Sequence, residues 1–146
     1  MIEDAGEKLR LAEGLLRTRQ TLSVLPPERR SVLVLEDNVE LLASLSRSLM
    51  AAGYVVTASQ NAEHAMSLIR YSGCQIDVAL IDVVLPGIDG IRFIEEAREA
   101  YPDLPVVIMT GDVSRLNDLS AKIPVLLKPF RTQQMLDLVR KSIQAP

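Results

Sequence analysis

Tryptophan is absent from this chain, histidine and cysteine occur once each, and there are only three tyrosines and two phenylalanines. Each shortage excludes something. The single cysteine, Cys74, cannot form an internal disulfide or a cysteine-rich zinc site. His64, set among Ala62, Ala65 and Met66, has no histidine or cysteine partner for a metal and reads as an ordinary helical residue. With so few rings, the core must be aliphatic. No apolar run approaches the roughly 20 residues a membrane helix needs, and the amino terminus is too acidic and polar for a secretory signal. A net charge of −3 gives no general attraction to nucleic acid or to an anionic membrane. A soluble cytoplasmic protein is the expectation.

What is present is aliphatic residue in short blocks. The 146 residues suit one domain with some chain to spare. Residues 1–30 form a helical extension and proline-rich linker. Leu9, Ala12 and Leu16 recur at helical spacing between Gly6 and Arg19, and Pro26-Pro27 forbids continuation. That extension is either a tail with no role of its own, or an arm for dimerisation or for connection to an upstream module. Residues 31–146 then alternate. Apolar strands are expected at 32–35, 54–58, 78–82, 106–109 and 125–127. Helices are expected at 39–52, 62–71, 91–101 and 132–143, with a short helix or a turn or two in 114–121. Gly53 and Gly73 stand where helices stop, and Asn61 is a candidate N-cap. Strand and helix in strict alternation give an α/β fold, a doubly wound five-stranded parallel sheet.

The strand ends carry the chemistry. The block Val78-Ala-Leu-Ile-Asp82 is apolar without alternation, as a strand covered on both faces requires, and the Pro86-Gly87 and Asp89-Gly90 pairs after it mark a tight loop. The first strand ends in Glu36-Asp37, the third in Asp82, the fourth in Thr110, the fifth in Lys128. Parallel strands present these ends on one edge, where such sheets bind ligands. Three carboxylates together repel and call for a cation; oxygen donors without His or Cys select a hard ion, Mg²⁺ or Mn²⁺. A hydroxyl and an ammonium beside them suit phosphoryl oxygens, and an Asp carboxylate can itself accept a phosphoryl group.

In this order, "VLVLEDN", "ALIDVVLPGIDG", "VVIMTGD" and "LLKPF" resemble the receiver domain of two-component response regulators, over about Ser31 to Gln144. Each motif alone is weak; together at the right strand ends they are specific. The resemblance implies a flavodoxin-like (βα)5 receiver fold and a phosphorelay role. Asp82 would accept a phosphoryl group from a phosphohistidine of a sensor histidine kinase or phosphotransfer protein. Asp37 would bind Mg²⁺ directly, with Glu36, Asp82 and the backbone carbonyl of Val84 completing the protein ligands. Lys128 would pair with Asp82 at rest and with a phosphoryl oxygen afterwards, Thr110 would hydrogen-bond another, and the Lys128-Pro129 bond would be cis. The implied partners are that donor, an output protein the sequence does not name, and a second copy of the chain in a homodimer.

Three positions depart from the family pattern. Val125 stands where an aromatic usually switches. The segment between Thr110 and Lys128 is short and contains Pro124, so its helix should be short or irregular and the partner surface altered. Val84, two residues after Asp82, cannot orient water, whereas Asp112, two after Thr110, is able to. No DNA-binding or catalytic output domain follows Gln144 in this sequence, so output is expected through a partner, a further phosphotransfer step or a parent chain. Two other readings are a receiver-like scaffold that is never phosphorylated and a Mg²⁺-dependent phosphohydrolase. In the haloacid-dehalogenase-like family the latter chemistry wants a second Asp two residues after the nucleophile, as general acid, and Val84 stands there.

Overall fold

The computed structural model describes residues 30–72, 75–118 and 122–144. The helix expected over Gly6–Arg19, nearly all of the linker, and Cys74 lie outside the described residues. The elements run β1 (Ser31–Leu35), α1 (Val39–Ala51), β2 (Val55–Ser59), α2 (Ala62–Ser72), β3 (Val78–Asp82), α3 (Gly90–Ala100), β4 (Val106–Thr110), a 3₁₀ turn (Val113–Asp118), β5 (Val125–Leu127) and α4 (Thr132–Gln144). The five strands form one parallel sheet in the order β2-β1-β3-β4-β5. The doubly wound sheet expected from the alternation is therefore present. Its fourth crossover holds the 3₁₀ turn instead of an α-helix, as the short segment before Pro124 led one to expect.

Alternation along each strand explains why the central blocks are apolar throughout. Val32 and Val34 of β1, Val78 and Leu80 of β3, and Val107 and Met109 of β4 pack under α1 and α4 with Leu42, Leu45, Leu49, Met135 and Val139. The intervening Leu33, Leu35, Ala79, Ile81, Val106 and Ile108 pack under α2 and α3 with Ala65, Ile69, Phe93, Ile94 and Ala97. Both faces are covered, so neither can be polar.

The ends of α1 follow from three residues. Asn38 caps its start, Oδ1 accepting from the Leu41 N–H at 2.9 Å. At the other end Gly53, at φ 100°, donates to the Met50 carbonyl and Tyr54 donates to that of Leu49, which is a Schellman closure. This moves the second strand one residue from the expected 54–58. The Tyr54 N–H is committed to the helix end and its ring is buried, so the ladder begins at Val55. Asn61 caps α2 as expected, through the His64 N–H at 2.7 Å. His64 Nδ1 lies 3.0 Å from Ser59 Oγ at the end of β2.

After Asp82 the chain makes a small hairpin, Val84–Leu85 against Ile88–Asp89, turned by Pro86 and Gly87. Gly87 has φ 76°, which after a proline is the type II turn arrangement. Asp89 then caps α3 through the Ile91 N–H at 3.0 Å. Gly90 is needed for space: a Cβ there would stand 2.3 Å from Val83 Cα. That close approach holds α3 against the backbone just beyond Asp82.

Candidate functional site: an acidic pocket at the carboxyl edge of the sheet

Glu36 and Asp82 keep the alternation of the strands they end. Glu36 follows Val32 and Val34, and Asp82 follows Val78 and Leu80, so both fall on the α1/α4 phase of neighbouring strands. Both are buried, Glu36 at 1 % and Asp82 at 4 % exposure. Asp37, one residue on, is exposed. Carboxylate oxygens of all three lie within 4.8 Å of one another.

Lys128 reaches this pair from the far side of the sheet. Its backbone N–H donates to the Thr110 carbonyl at 2.8 Å, extending the β4–β5 pairing by one residue, and the Lys128-Pro129 peptide is cis. Its Nζ donates to Asp82 Oδ2 at 2.8 Å and to Glu36 Oε1 at 2.6 Å. The remaining carboxylate oxygens are also engaged. Asp82 Oδ1 accepts from the Val84 N–H at 2.8 Å, and Glu36 Oε2 accepts from the Asn38 N–H at 3.1 Å. The loop that caps α1 and the hairpin that leads to α3 are thus each tied to one acid of the site.

Burial raises the Glu36 pKa, and its hydrogen bonds from Lys128 and the Asn38 N–H only partly oppose this. Burial would depress the Lys128 pKa, but the hydrogen bonds and charges of Asp82 and Glu36 outweigh it, and the net shift is upward. One ammonium against three carboxylates leaves the pocket negative. The donor set fits a hard divalent cation, being all oxygen. Oxygens on opposite sides of a Mg²⁺ stand about 4.2 Å apart, so a cluster spanning 4.8 Å closes with small side-chain shifts.

Thr110 stands apart from this network. It lies in the phase of Val106 and Ile108, facing the α2/α3 layer, and is fully buried. Its Oγ1 accepts from the Asp112 N–H at 3.0 Å and donates to the Asp112 carbonyl at 3.1 Å. The Asp112 carboxylate accepts from the Ser114 N–H and hydroxyl at the start of the 3₁₀ turn. Val84 exposes nearly half its surface beside Asp82. Val125 is half-buried and packs against the α2/α3 layer, the same layer that Thr110 faces.

Of the expected site residues, the fold brings Glu36, Asp37, Asp82 and Lys128 together, sets Val84 on the next residue but one, and keeps the Thr110 hydroxyl within its own loop. Sequence reasoning missed the Lys128–Glu36 contact, the shortest ion pair among the described residues. The signal was available: Glu36 continues the even-numbered phase of β1 and so had to turn inward, where only a paired carboxylate is tolerated.

A doubly wound parallel sheet with buried acids and a lysine converging on one edge defines an α/β domain with an acidic pocket whose oxygen donors fit a divalent cation. Comparison with known proteins makes this specific. The family model for the response regulator receiver domain matches residues 32–140, and the chain belongs to that family. It is 33 % identical over 77 % of its length to the two-component response regulator ARR2 of Arabidopsis thaliana, of which the match covers 17 %. It is 27 % identical over 78 % of its length to the sensor kinase CckA of Brucella abortus, of which the match covers 12 %. The chain therefore spans a small part of the curated relatives it matches. Among solved structures, a response regulator receiver protein from Sinorhizobium medicae superposes with a TM-score of 0.72 at 26 % identity, covering 81 % of this chain and 97 % of that one. The family is a signalling switch of two-component systems and generally not a classical enzyme; its members bind Mg²⁺ at an acidic pocket and interact with histidine kinases or phosphotransfer proteins. No helix among the described residues is long and apolar enough to cross a membrane.

Proposed function

We propose that this chain is the phosphoacceptor receiver of a two-component phosphorelay, with Asp82 the residue phosphorylated. A single observation carries the reading: Asp82 is buried at the strand end, within the acidic cluster and 2.8 Å from Lys128 Nζ. The donor is a phosphohistidine of a sensor histidine kinase or phosphotransfer protein. An Asp82 carboxylate oxygen attacks phosphorus, the P–O bond forms as the P–N bond breaks, and the imidazole leaves with the electron pair. A Mg²⁺ held by Glu36, Asp37, Asp82 and the Val84 backbone carbonyl would neutralise phosphoryl oxygens during transfer.

The chain's own residues do the rest. Lys128 gives up its bond to Asp82 and takes a phosphoryl oxygen, while Glu36 keeps the ammonium in place. Thr110 must exchange its bond to the Asp112 carbonyl for a phosphoryl oxygen, and this draws on the loop that Asp112 and Ser114 organise. With Val125 in place of an aromatic, that loop rearrangement is the two-state element that reports phosphorylation to an output protein. The site works in the cytoplasm, where its donors are. Residues 31–146 are the receiver unit, and residues 1–30 are an extension to it.

The test is intact mass after incubation with Mg²⁺ and acetyl phosphate. Wild type is expected to gain one phosphoryl group, labile to hydroxylamine, and Asp82→Asn none. Undiminished labelling of Asp82→Asn would show that the nucleophile lies elsewhere. An unlabelled wild type that also lacks Mg²⁺ affinity would leave a scaffold that is never phosphorylated.

A further inference from the structure

At the opposite edge of the sheet, where β4 and β5 begin, the surface opens into a hollow of about 610 Å³. Pro102, Pro105 and Pro124 wall it, with buried Leu104 and Val106 at its floor. Three proline rings give rigid apolar walls and no backbone N–H donors. Charged recognition there comes from side chains. The Ser142 hydroxyl has already donated its hydrogen to the Leu138 carbonyl at 2.8 Å. Two cations, Arg98 from the last turn of α3 and Lys122 before β5, face one acid, Asp103. Neither cation forms an ion pair among the described residues. Arg98 Nε is buried with no hydrogen-bond partner, the sole buried side-chain polar atom so left among the described residues.

That N–H is satisfied by nothing in the fold, so the partly exposed Arg98 guanidinium is committed to no partner among the described residues. Small-molecule sites typically enclose about 300–1,000 Å³, and this hollow is of that size, with its lining divided about evenly between apolar and polar surface. We propose that it binds a small organic oxyanion. The carboxylate or phosphate head group sits on Arg98 and Lys122, and the apolar body lies against the prolines. The site is distinct from the acidic pocket, which without a divalent cation repels such a ligand. It sits at the start of β4, the strand that ends in Thr110.

The experiment is an amide NMR titration of the full chain carrying Asp82→Asn, without divalent cation and at constant ionic strength, using phenyl phosphate in one arm and benzoate in the other. Saturable shifts at the Leu104, Val106 and Lys122 amides are expected from at least one probe, and the stronger arm names the head group. Arg98→Gln should weaken binding about tenfold or more, as loss of a charge-assisted hydrogen bond implies. Lys122→Gln, at an exposed position that does not threaten folding, should weaken it severalfold. No saturable shift at those amides with either probe, or an affinity unchanged by Lys122→Gln and by a folded Arg98→Gln, overturns the proposal.

Discussion

The two halves of the sheet are built differently. β1 and β3 are central, five residues each, and buried almost throughout, and each ends in an acid that continues its inward phase. β5 is an edge strand of three residues, half-buried at Val125 and exposed at Leu127, and it follows a 3₁₀ turn. Yet the one cation of the site, Lys128, comes from that thin edge and spans β4 to reach both acids. The acids are held by the part of the fold that cannot move cheaply, and their counter-charge by the part that can. A switch requires that asymmetry, because an element with two arrangements must be drawn from the less stable end of the structure.

Mutations can sharpen or break this comparison. Leu80→Ala, in fully buried β3, is expected to cost about 2–5 kcal/mol, read as a lowered urea midpoint, against about 1 kcal/mol or less for Val125→Ala in β5. Equal losses would mean the edge is as firmly packed as the centre. Gly90→Ala would press a methyl into the Val83 backbone and should cost about 1–3 kcal/mol, with the Val83–Asp82 amides shifting in NMR spectra. Gly111→Ala, in the loop after β4, meets nothing within 4 Å and should stay within about 0.5 kcal/mol of wild type. A costly Gly111→Ala would show that the switching loop is packed as tightly as the hairpin.

The smallest effect is electrostatic. The folded-state pKa of Glu36 is raised above its ordinary value of 4.5, so the folded protein binds that proton more readily than the unfolded chain. The Glu36 contribution is therefore most favourable below 4.5 and is lost as pH rises through the raised value. Glu36→Gln resembles the protonated acid. Without divalent cation its melting temperature should match wild type at low pH and exceed it at neutral pH. A variant less stable than wild type at neutral pH would mean that the bond to Lys128 outweighs the cost of burying the charge. With Mg²⁺ present the order should reverse, since the variant has lost a ligand charge.

Much of this was legible before any coordinates. The runs Val32–Leu35, Val78–Ile81 and Val106–Met109 read as strands covered on both faces, Gly53 and Asn61 marked helix ends, and Pro86-Gly87 with Asp89-Gly90 marked the tight loop after β3. The acids and the lysine at the strand ends followed from the parallel topology. Less legible were the boundary at Tyr54, decided by the Schellman bond to Leu49, and the 3₁₀ turn, whose short segment was compatible with more than one conformation.

Residue type and spacing by themselves determined the alternation of strand and helix, the inventory of oxygen donors and the edge on which they emerge, because periodicity and chain direction are local properties. Only the tertiary structure decided that β1 lies between β2 and β3, that Lys128 bonds Glu36 as well as Asp82, and that the Thr110 hydroxyl is held by its own loop. Those contacts join residues 46 and 92 positions apart, or select among several local acceptors. Such choices are made by the packing of the whole domain, not by any stretch of chain within it.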